Sequence, residues 1–155
     1  MDDLITIYCD GACLGNPGPG GFGAVLLYQG NRKELSGGYK RTTNNRMELM
    51  GAIAALEALK TPRSRVLMHS DSKYVVDAVE KGWARKWQRN YWIKPDKQPA
   101  MNPDLWERLL ELCSKHDVRF EWVKGHSGVP ENERCDELAT SAAAQDGLPP
   151  DPGFG

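Results

Sequence analysis

The sequence predicts one mixed α/β domain, whose five-stranded sheet begins as an antiparallel meander, continues through parallel strands and is flanked by helices. Three observations predict it: three β-patterned runs come first, a long helical pattern follows, and two further β runs then alternate with helices. The 155 residues suffice for one hydrophobic core but not for two independent domains. We therefore expect a single domain over residues 1–145.

The first three strands are predicted from β-branched and apolar runs. Residues 4–9, LITIYC, have the composition of a strand that is buried on both faces. Glycines and prolines crowd residues 10–21 and predict irregular structure there, before FGAVLLY at 22–28 resumes the strand pattern. A turn at 29–31 leads to a third strand near residues 34–39.

The helix after residue 43 has the clearest signal. Thr43, Asn44 and Asn45 supply N-cap chemistry, and apolar residues then recur at helical spacing up to Lys60. RVLMHS at 65–70 predicts a fourth strand, and Ser72 can cap a second helix that runs toward residue 81.

The later elements are predicted largely from proline positions. Asn102 and Pro103 indicate the start of a helix that lasts to about residue 115, and residues 118–123 have the pattern of a fifth strand. Pro130 is a first-turn proline for a last helix, which ends near residue 144. The final stretch, DGLPPDPGFG at 146–155, is predicted to be a flexible C-terminal tail.

Composition excludes several classes of protein. Lys and Arg number 20 against 21 acids, so the net charge of −1 predicts no polyanion partner from bulk charge, and any basic surface must be local. No apolar stretch has the length of a membrane span, and the acidic start MDDL is unlike a signal peptide. The four cysteines are too few for a disulfide scaffold. We expect a cytoplasmic protein with reduced thiols and no membrane partner, and nothing demands more than a monomer.

Four acids are placed where a sheet of this kind binds ligands. Asp10 is expected to end the first strand, Asp71 ends the fourth, Glu48 lies near the start of the long helix and Asp136 lies about two turns into the last one. Four clustered carboxylates repel one another unless a cation intervenes. Oxygen-only ligation suits Mg²⁺ or Mn²⁺, and two such ions can stabilise both oxygens of a phosphoryl displacement.

Three of the four acids also have a structural interpretation. Asn45 and Glu48 have the spacing of a capping box, and Asp71 before Ser72 is consistent with a helix-dipole contact. Asp136 taken singly is typical of a solvated helix residue. Spacing alone therefore does not prove the quartet.

His126, which lies between Gly125 and Gly128, has two interpretations. A neutral imidazole in such a loop can carry protons near neutral pH, but a structural histidine is equally consistent with the pattern.

An alternative metal site would bind zinc through Cys9, Cys13, His126 and Cys135. The sequence favours this site less, because Cys9 and Cys13 lie at a strand end without the tight turn that is usual between zinc-binding cysteines.

Residues 81–97 form a basic segment in which aromatic residues are interleaved with cations. The segment has six cationic residues and one acid, Asp96, so its net charge is +5 and the net charge of the rest of the chain is −6. This contrast predicts a nucleic-acid surface, since cations attract phosphates while aromatic planes pack on sugars or bases. The alternative is a solvated basic helix with Trp83 and Trp87 in one buried stripe. The cations are Lys81, Arg85, Lys86, Arg89, Lys94 and Lys97, and the aromatic residues are Trp83, Trp87, Tyr91 and Trp92.

Taken together, several motifs resemble one family. They are DGACLGNPGPGGFGAVL, YKRTTNNRMELMGAIAALEAL, SDSKYV, the basic segment and WVKGHSGVPENERCDELA, which together cover about residues 4–144. On these motifs the chain closely resembles bacterial ribonuclease H of type 1. The resemblance implies the ribonuclease H-like fold and hydrolysis of the RNA strand of RNA/DNA hybrids with Mg²⁺ or Mn²⁺. It also implies that the metal-binding acids are Asp10, Glu48, Asp71 and Asp136, and that His126 aids proton transfer and product release.

The same resemblance implies a set of substrate contacts. Asn16, Asn44 and Asn45, with backbone groups near Cys13 and Gly15, are similar to the family's readers of the RNA 2′-hydroxyls.

On the DNA strand, Arg41 and Thr43 resemble part of a phosphate pocket, and Trp83 and Trp87 resemble a platform beside the sugars. The basic segment resembles the family's handle-like protrusion.

This sequence departs from the family's pattern in a few places. Lys73 and Lys86 stand where bacterial relatives often have neutral polar residues, and one residue is inserted between Asp71 and Trp83. These changes concern local contacts rather than the chemistry, and the extra lysines are expected to strengthen hybrid binding and steepen its salt dependence.

The sequence thus predicts a metal-dependent endoribonuclease that leaves 5′-phosphate and 3′-hydroxyl ends. Two other classes stay open: a catalytically silent hybrid-binding module, and a nuclease of related fold that acts on DNA, such as an integrase or junction resolvase. The asparagine cluster favours hybrids.

Overall fold

A computed structural model describes residues 3–154. Met1 and Asp2 of the acidic start, and Gly155 of the predicted tail, lie outside the described residues. The fold is a five-stranded mixed sheet in the order β3-β2-β1-β4-β5, in which β1 pairs antiparallel with β2 and parallel with β4. The predicted meander followed by parallel strands is therefore confirmed. The strands are β1 (Leu4–Cys13), β2 (Gly18–Tyr28), β3 (Asn31–Thr42), β4 (Arg65–Ser70) and β5 (Asp117–Trp122).

The glycine-rich stretch at 10–21 is mostly paired strand, so the prediction of irregular structure there was wrong. β1 and β2 stay in register from Asp10 and Gly23 to Cys13 and Gly20, which leaves only residues 14–17 as a turn. The glycines allow other backbone segments to pack closely against these strands, and most of them do not lie in a loop. A Cβ on Gly11 would lie 2.4 Å from the backbone nitrogen of Glu48, which is nearer than any side chain tolerates.

Helices cover both faces of the sheet. Gly11 lies against the first turns of α1, whereas Gly23, opposite the neighbouring position in β1, lies against the Cys135 carbonyl of α5. Because successive strand residues face opposite sides, α1 and α5 pack on opposite faces. The helices are α1 (Asn44–Glu57), α2 (Lys73–Glu80), α3 (Trp83–Arg89), α4 (Pro103–Lys115) and α5 (Pro130–Ala143).

The helix starts follow the predicted capping chemistry. The Thr43 hydroxyl accepts from the Arg46 backbone N–H at 3.3 Å, and the Ser72 hydroxyl accepts from the Val75 N–H at 3.3 Å. Pro103 and Pro130 occupy the first turns of α4 and α5. α1 ends at Glu57, earlier than the predicted Lys60.

A buried arginine joins α1 to two distant parts of the chain. Arg46 is 2% exposed, and its Nε donates to Asp151 Oδ2 at 2.6 Å while its Nη2 donates to Asp104 Oδ2 at 2.8 Å. The Thr42 hydroxyl adds a bond to Asp151 Oδ2 at 2.7 Å. The composition of residues 146–155 predicts a flexible tail. The structure instead places Asp151 in this buried network, with 5% of its surface exposed.

None of the helices within residues 3–154 has the length and apolar character needed to cross a bilayer.

Candidate active site

Three acids from three elements converge at one edge of the sheet. Asp71 follows the end of β4, and Asp10 lies in β1 directly after Cys9, the last β1 residue that pairs with β4. Glu48 reaches the same point from α1. One carboxylate oxygen from each acid lies within 4.8 Å of the others. Asp10 does not end its strand as predicted, because β1 continues alongside β2 to Cys13.

Burial makes this cluster electrostatically costly. Asp10 is 4% exposed and Glu48 is 7% exposed. Burial, and then the neighbouring Asp71 carboxylate, raise the pKa of Asp10 to about 8, against a bond of 2.8 Å from the Gly11 N–H to its Oδ1. Burial and the charge of Asp10 also raise the pKa of Glu48 well above its ordinary value. Both carboxyls therefore hold protons tightly unless a cation neutralises the cluster.

The orphaned Glu48 Oε2 shows that the acids fit a divalent cation. This oxygen is buried and has no hydrogen-bond partner among the described residues. A native structure does not normally leave a buried carboxylate oxygen unsatisfied. Hard, oxygen-seeking cations such as Mg²⁺ and Mn²⁺ match this all-carboxylate donor set.

The capping-box interpretation of Glu48 does not describe the fold. Thr43 caps α1, so Asn45 lies inside the helix and forms no capping box with Glu48. Ser72 caps α2, and the carboxylate of Asp71, the residue before this cap, is part of the acid cluster.

Asp136, the fourth predicted acid, is partly buried on α5 and is not one of the three converging acids. Its helix does pass close to them. Burial and the charge of Asp10 raise the pKa of the adjacent Cys135 thiol to about 12. α5 therefore passes the cluster at Cys135, the residue before Asp136 in the chain.

The zinc alternative finds no support among residues 3–154. The three acids form the only group of metal-ligating side chains that converges there. The Cys9 thiol faces Met68 Sδ at 3.6 Å, while the Cys13 thiol faces the carbonyl oxygens of Gly18 and Thr42 at 3.4 Å each. All four cysteines are free, as predicted.

His126 lies in the exposed loop between β5 and α5 and has a positive φ of 56°. The loop passes directly against the acids. A Cβ on Gly125 would lie 2.9 Å from Asp71 Oδ2, so only glycine fits there without displacement. Trp122, at the end of β5, fixes the base of the loop by donating its indole N–H to the Asp71 carbonyl at 3.2 Å.

The predicted readers of the RNA strand lie together at the N-terminus of α1. The Asn16 side-chain oxygen accepts from the Asn44 backbone N–H at 3.1 Å and so ties the 14–17 turn to the helix. Gly15 provides the positive φ of 83° that this turn requires. An open cleft of about 610 Å³ is lined here by Asn16, Thr43, Asn44 and Asn45.

The two tryptophans of the basic segment have different surroundings. Trp87 is 7% exposed and packs edge-on against Trp106, with ring centroids 6.0 Å apart. Trp83 is 37% exposed and lies beneath Lys81, whose Nζ is 5.5 Å from the ring. The buried-stripe alternative thus describes Trp87 but not Trp83, while Lys86 is exposed on the same short helix.

Comparison with known proteins identifies the family. The family model described as RNase H matches residues 2–144. The chain belongs to the RNase H family. It is 63% identical over 147 residues to a ribonuclease H of Desulforamulus reducens, with 95% of this chain and 92% of that relative covered.

Solved RNase H structures share the fold. LC9-RNase H1, a type 1 RNase H, is 34% identical with a TM-score of 0.80, and the match covers 91% of this chain and 72% of that one. LC11-RNase H1, solved in complex with an RNA/DNA hybrid, is 28% identical with a TM-score of 0.67, and 90% and 96% of the two chains are covered. The predicted RNase H-like fold and the assignment of this chain as a hydrolytic enzyme are both confirmed.

Two residues of the site were missed by reasoning from the sequence. Trp122 supports Asp71, and Phe154 lines the cleft at the N-terminus of α1. The WVKGH motif contains Trp122 and offered a signal for it. The composition of residues 146–155 gave no signal for Phe154, because its position depends on contacts with residues that are far away in the sequence.

Proposed function

We propose that this RNase H family member hydrolyses the RNA strand of RNA/DNA hybrids with Mg²⁺ or Mn²⁺, as a cytoplasmic monomer. It would use two ions per site and leave 5′-phosphate and 3′-hydroxyl ends. The observation that carries the proposal is the buried cluster of Asp10, Glu48 and Asp71 with an orphaned carboxylate oxygen. The hybrid bound by the related LC11-RNase H1 supports the substrate class.

Each acid would have a defined role. When bound, the two ions supply Lewis-acid stabilisation of the attacking and departing oxygens of an in-line displacement. Asp10 would help to hold both ions, because its carboxyl interacts with both Asp71 and Glu48. Glu48 would offer its orphaned oxygen, and Asp71 would be held in place by Trp122 and the Gly125 loop. Asp136 would complete the metal-binding set from α5.

His126 would carry protons rather than bind metal. Its loop touches Asp71 through Gly125, while the imidazole itself is exposed to solvent. A neutral imidazole in that position can take a proton from the attacking water, and its protonated form can deliver one to the departing 3′-oxygen.

The hybrid would lie across the face formed by the α1 N-terminus and the basic segment. Asn16, Asn44 and Asn45, with the backbone at Cys13 and Gly15, would read 2′-hydroxyls in the minor groove.

On the DNA strand, Arg41 and Thr43 would hold a phosphate, and Trp83, which is more exposed than Trp87, would pack on a sugar. Lys73 and Lys86 would add electrostatic attraction.

The test is cleavage of labelled substrates with Mg²⁺, with Mn²⁺ and with a chelator. We expect cleavage of the RNA strand of a hybrid, none of duplex DNA or duplex RNA, and none with chelator. Asp10→Asn should abolish cleavage while hybrid binding persists, and Asp117→Asn, an exposed acid at the far end of β5, is the matched control with full activity.

Three outcomes would contradict the proposal. Binding of the hybrid without cleavage would identify a silent binding module, and cleavage of duplex DNA would identify a DNA nuclease. Retained turnover in Asp10→Asn would reject the role of the acid cluster.

A further inference from the structure

The segment at 149–154 runs along the end of β3 and contacts three successive residues of that strand. The Lys40 backbone N–H donates to the Pro149 carbonyl at 2.9 Å. The Thr42 hydroxyl donates to Asp151 Oδ2 at 2.7 Å. Between them, the ring of Phe154 lies 5.1 Å from Arg41 Cζ, close enough for a cation–π contact.

The aromatic ring is held by a buried anchor. Asp151 is 5% exposed and accepts two bonds from Arg46, at 2.6 Å from Nε and 3.0 Å from Nη2. A turn then carries the chain back, because the Phe154 N–H donates to the Asp151 carbonyl at 3.1 Å and the Gly153 N–H donates to Asp151 Oδ1 at 3.3 Å. The place of Phe154 is therefore determined by the core, three residues away.

Arg41 keeps its charge available for a ligand. Across residues 3–154, no carboxylate lies within ion-pair distance of its guanidinium. A ring stacked on the face of a guanidinium leaves the N–H donors at its edge free for a bidentate bond to phosphate. Phe154 also lines the cleft of about 610 Å³ together with Asn16 and Thr43.

We propose that Phe154 is a positioning residue for hybrid binding, which restricts the Arg41 side chain so that its guanidinium edge meets a backbone phosphate of the hybrid. This inference rests on the proposed function. Arginine loses considerable rotamer freedom when it binds, and a ring that restricts it beforehand reduces that loss. The effect belongs to substrate binding rather than to the chemical step, because Phe154 touches Arg41 and not the acids.

The experiment combines two measurements on the full chain. Binding of a fluorescent RNA/DNA hybrid is measured by anisotropy in chelator, and cleavage of the same hybrid in Mg²⁺ yields KM and kcat. The variants are Phe154→Ala, Phe154→Leu, Phe154→Tyr, Arg41→Ala and the double variant Arg41→Ala/Phe154→Ala. Tyr28→Ala, which removes an exposed aromatic ring at the β2–β3 turn at the other end of the sheet, is the matched control.

We expect Phe154→Ala and Phe154→Leu to raise Kd and KM roughly two- to five-fold at constant kcat, the range for an exposed cation–π contact. Phe154→Tyr should restore wild-type values, and Tyr28→Ala should match the wild type. In the Arg41→Ala background the Phe154 substitution should have no further effect.

Three results would overturn the inference. Unchanged Kd in Phe154→Ala would show that the ring does no positioning, and a lower Kd would show that it obstructs the arginine. Equal effects of Phe154→Ala with and without Arg41 would show that the ring acts on the hybrid by itself. Failure of the wild-type protein to cleave any hybrid would instead reject the proposed function, while the binding measurement would still decide the role of Phe154.

Discussion

Substitution of Asp10 by asparagine should stabilise the metal-free protein while it abolishes activity. The change removes an ionisable carboxyl from a buried cluster and keeps the size of the side chain. Asp10 has an ordinary pKa of 3.8 that burial and Asp71 raise to about 8 in the folded protein. The folded state therefore binds this proton more tightly than the unfolded state does, and stability is lost as pH rises through this interval.

The size of the effect follows from that interval. The ordinary and the raised pKa of Asp10 differ by about four units, and each unit corresponds to about 1.4 kcal/mol. Above pH 8, the largest possible gain in the free energy of unfolding is therefore about 6 kcal/mol. Because pH 7 lies about three units above the ordinary pKa of Asp10, the largest possible gain in the free energy of unfolding at pH 7 is ~4 kcal/mol. Relaxation of the site and the altered contact to the Gly11 N–H reduce the net gain, and we expect about 2 kcal/mol at pH 7.

The assay is urea unfolding followed by circular dichroism in chelator, at several values between pH 4 and pH 8. The advantage of Asp10→Asn should be near zero at pH 4 and grow with pH, whereas Asp117→Asn, an exposed acid, should follow the wild type. Added Mg²⁺ should stabilise the wild type more than Asp10→Asn and narrow the gap, because a ligand that binds only the folded state stabilises it.

Parallel pH profiles for the wild type and Asp10→Asn would refute this reasoning. They would mean that burial and the neighbouring Asp71 carboxylate do not raise the pKa of Asp10 in the folded protein.

Other predictions concern the buried network, the loop and the basic segment. Asp151→Ala leaves the buried Arg46 without its one buried carboxylate partner among the described residues and should cost about 3–5 kcal/mol in urea unfolding, whereas Asp104→Ala should cost less because that side chain is 45% exposed. His126→Ala should slow multiple-turnover cleavage without stopping it, and complete loss would give the histidine an essential role. Lys86→Asn should weaken hybrid binding and reduce the slope of log K against log salt by about one; an unchanged slope would exclude a phosphate contact.

Much of the fold could be predicted because its signals are local. The bounds of β4 agree with the prediction residue for residue, and Thr43 and Ser72 cap the helices that they were expected to cap. These features depend on β-branched runs, hydroxyl caps and first-turn prolines, which act within a few residues. The glycines at 10–21 misled the prediction because their cause lies elsewhere in the chain: α1 packs against the backbone at Gly11.

The sequence by itself determined the chemistry available to this protein: carboxylates at sheet and helix ends, a histidine in a glycine-containing loop, and cations interleaved with aromatic rings. Only the tertiary structure decided which of these groups meet. It brought Asp10, Glu48 and Asp71 within 4.8 Å and raised the pKa of Asp10, buried Trp87 while leaving Trp83 partly exposed, and set Phe154 on Arg41. Burial and charge proximity arise between residues far apart in the chain, and no local pattern encodes them.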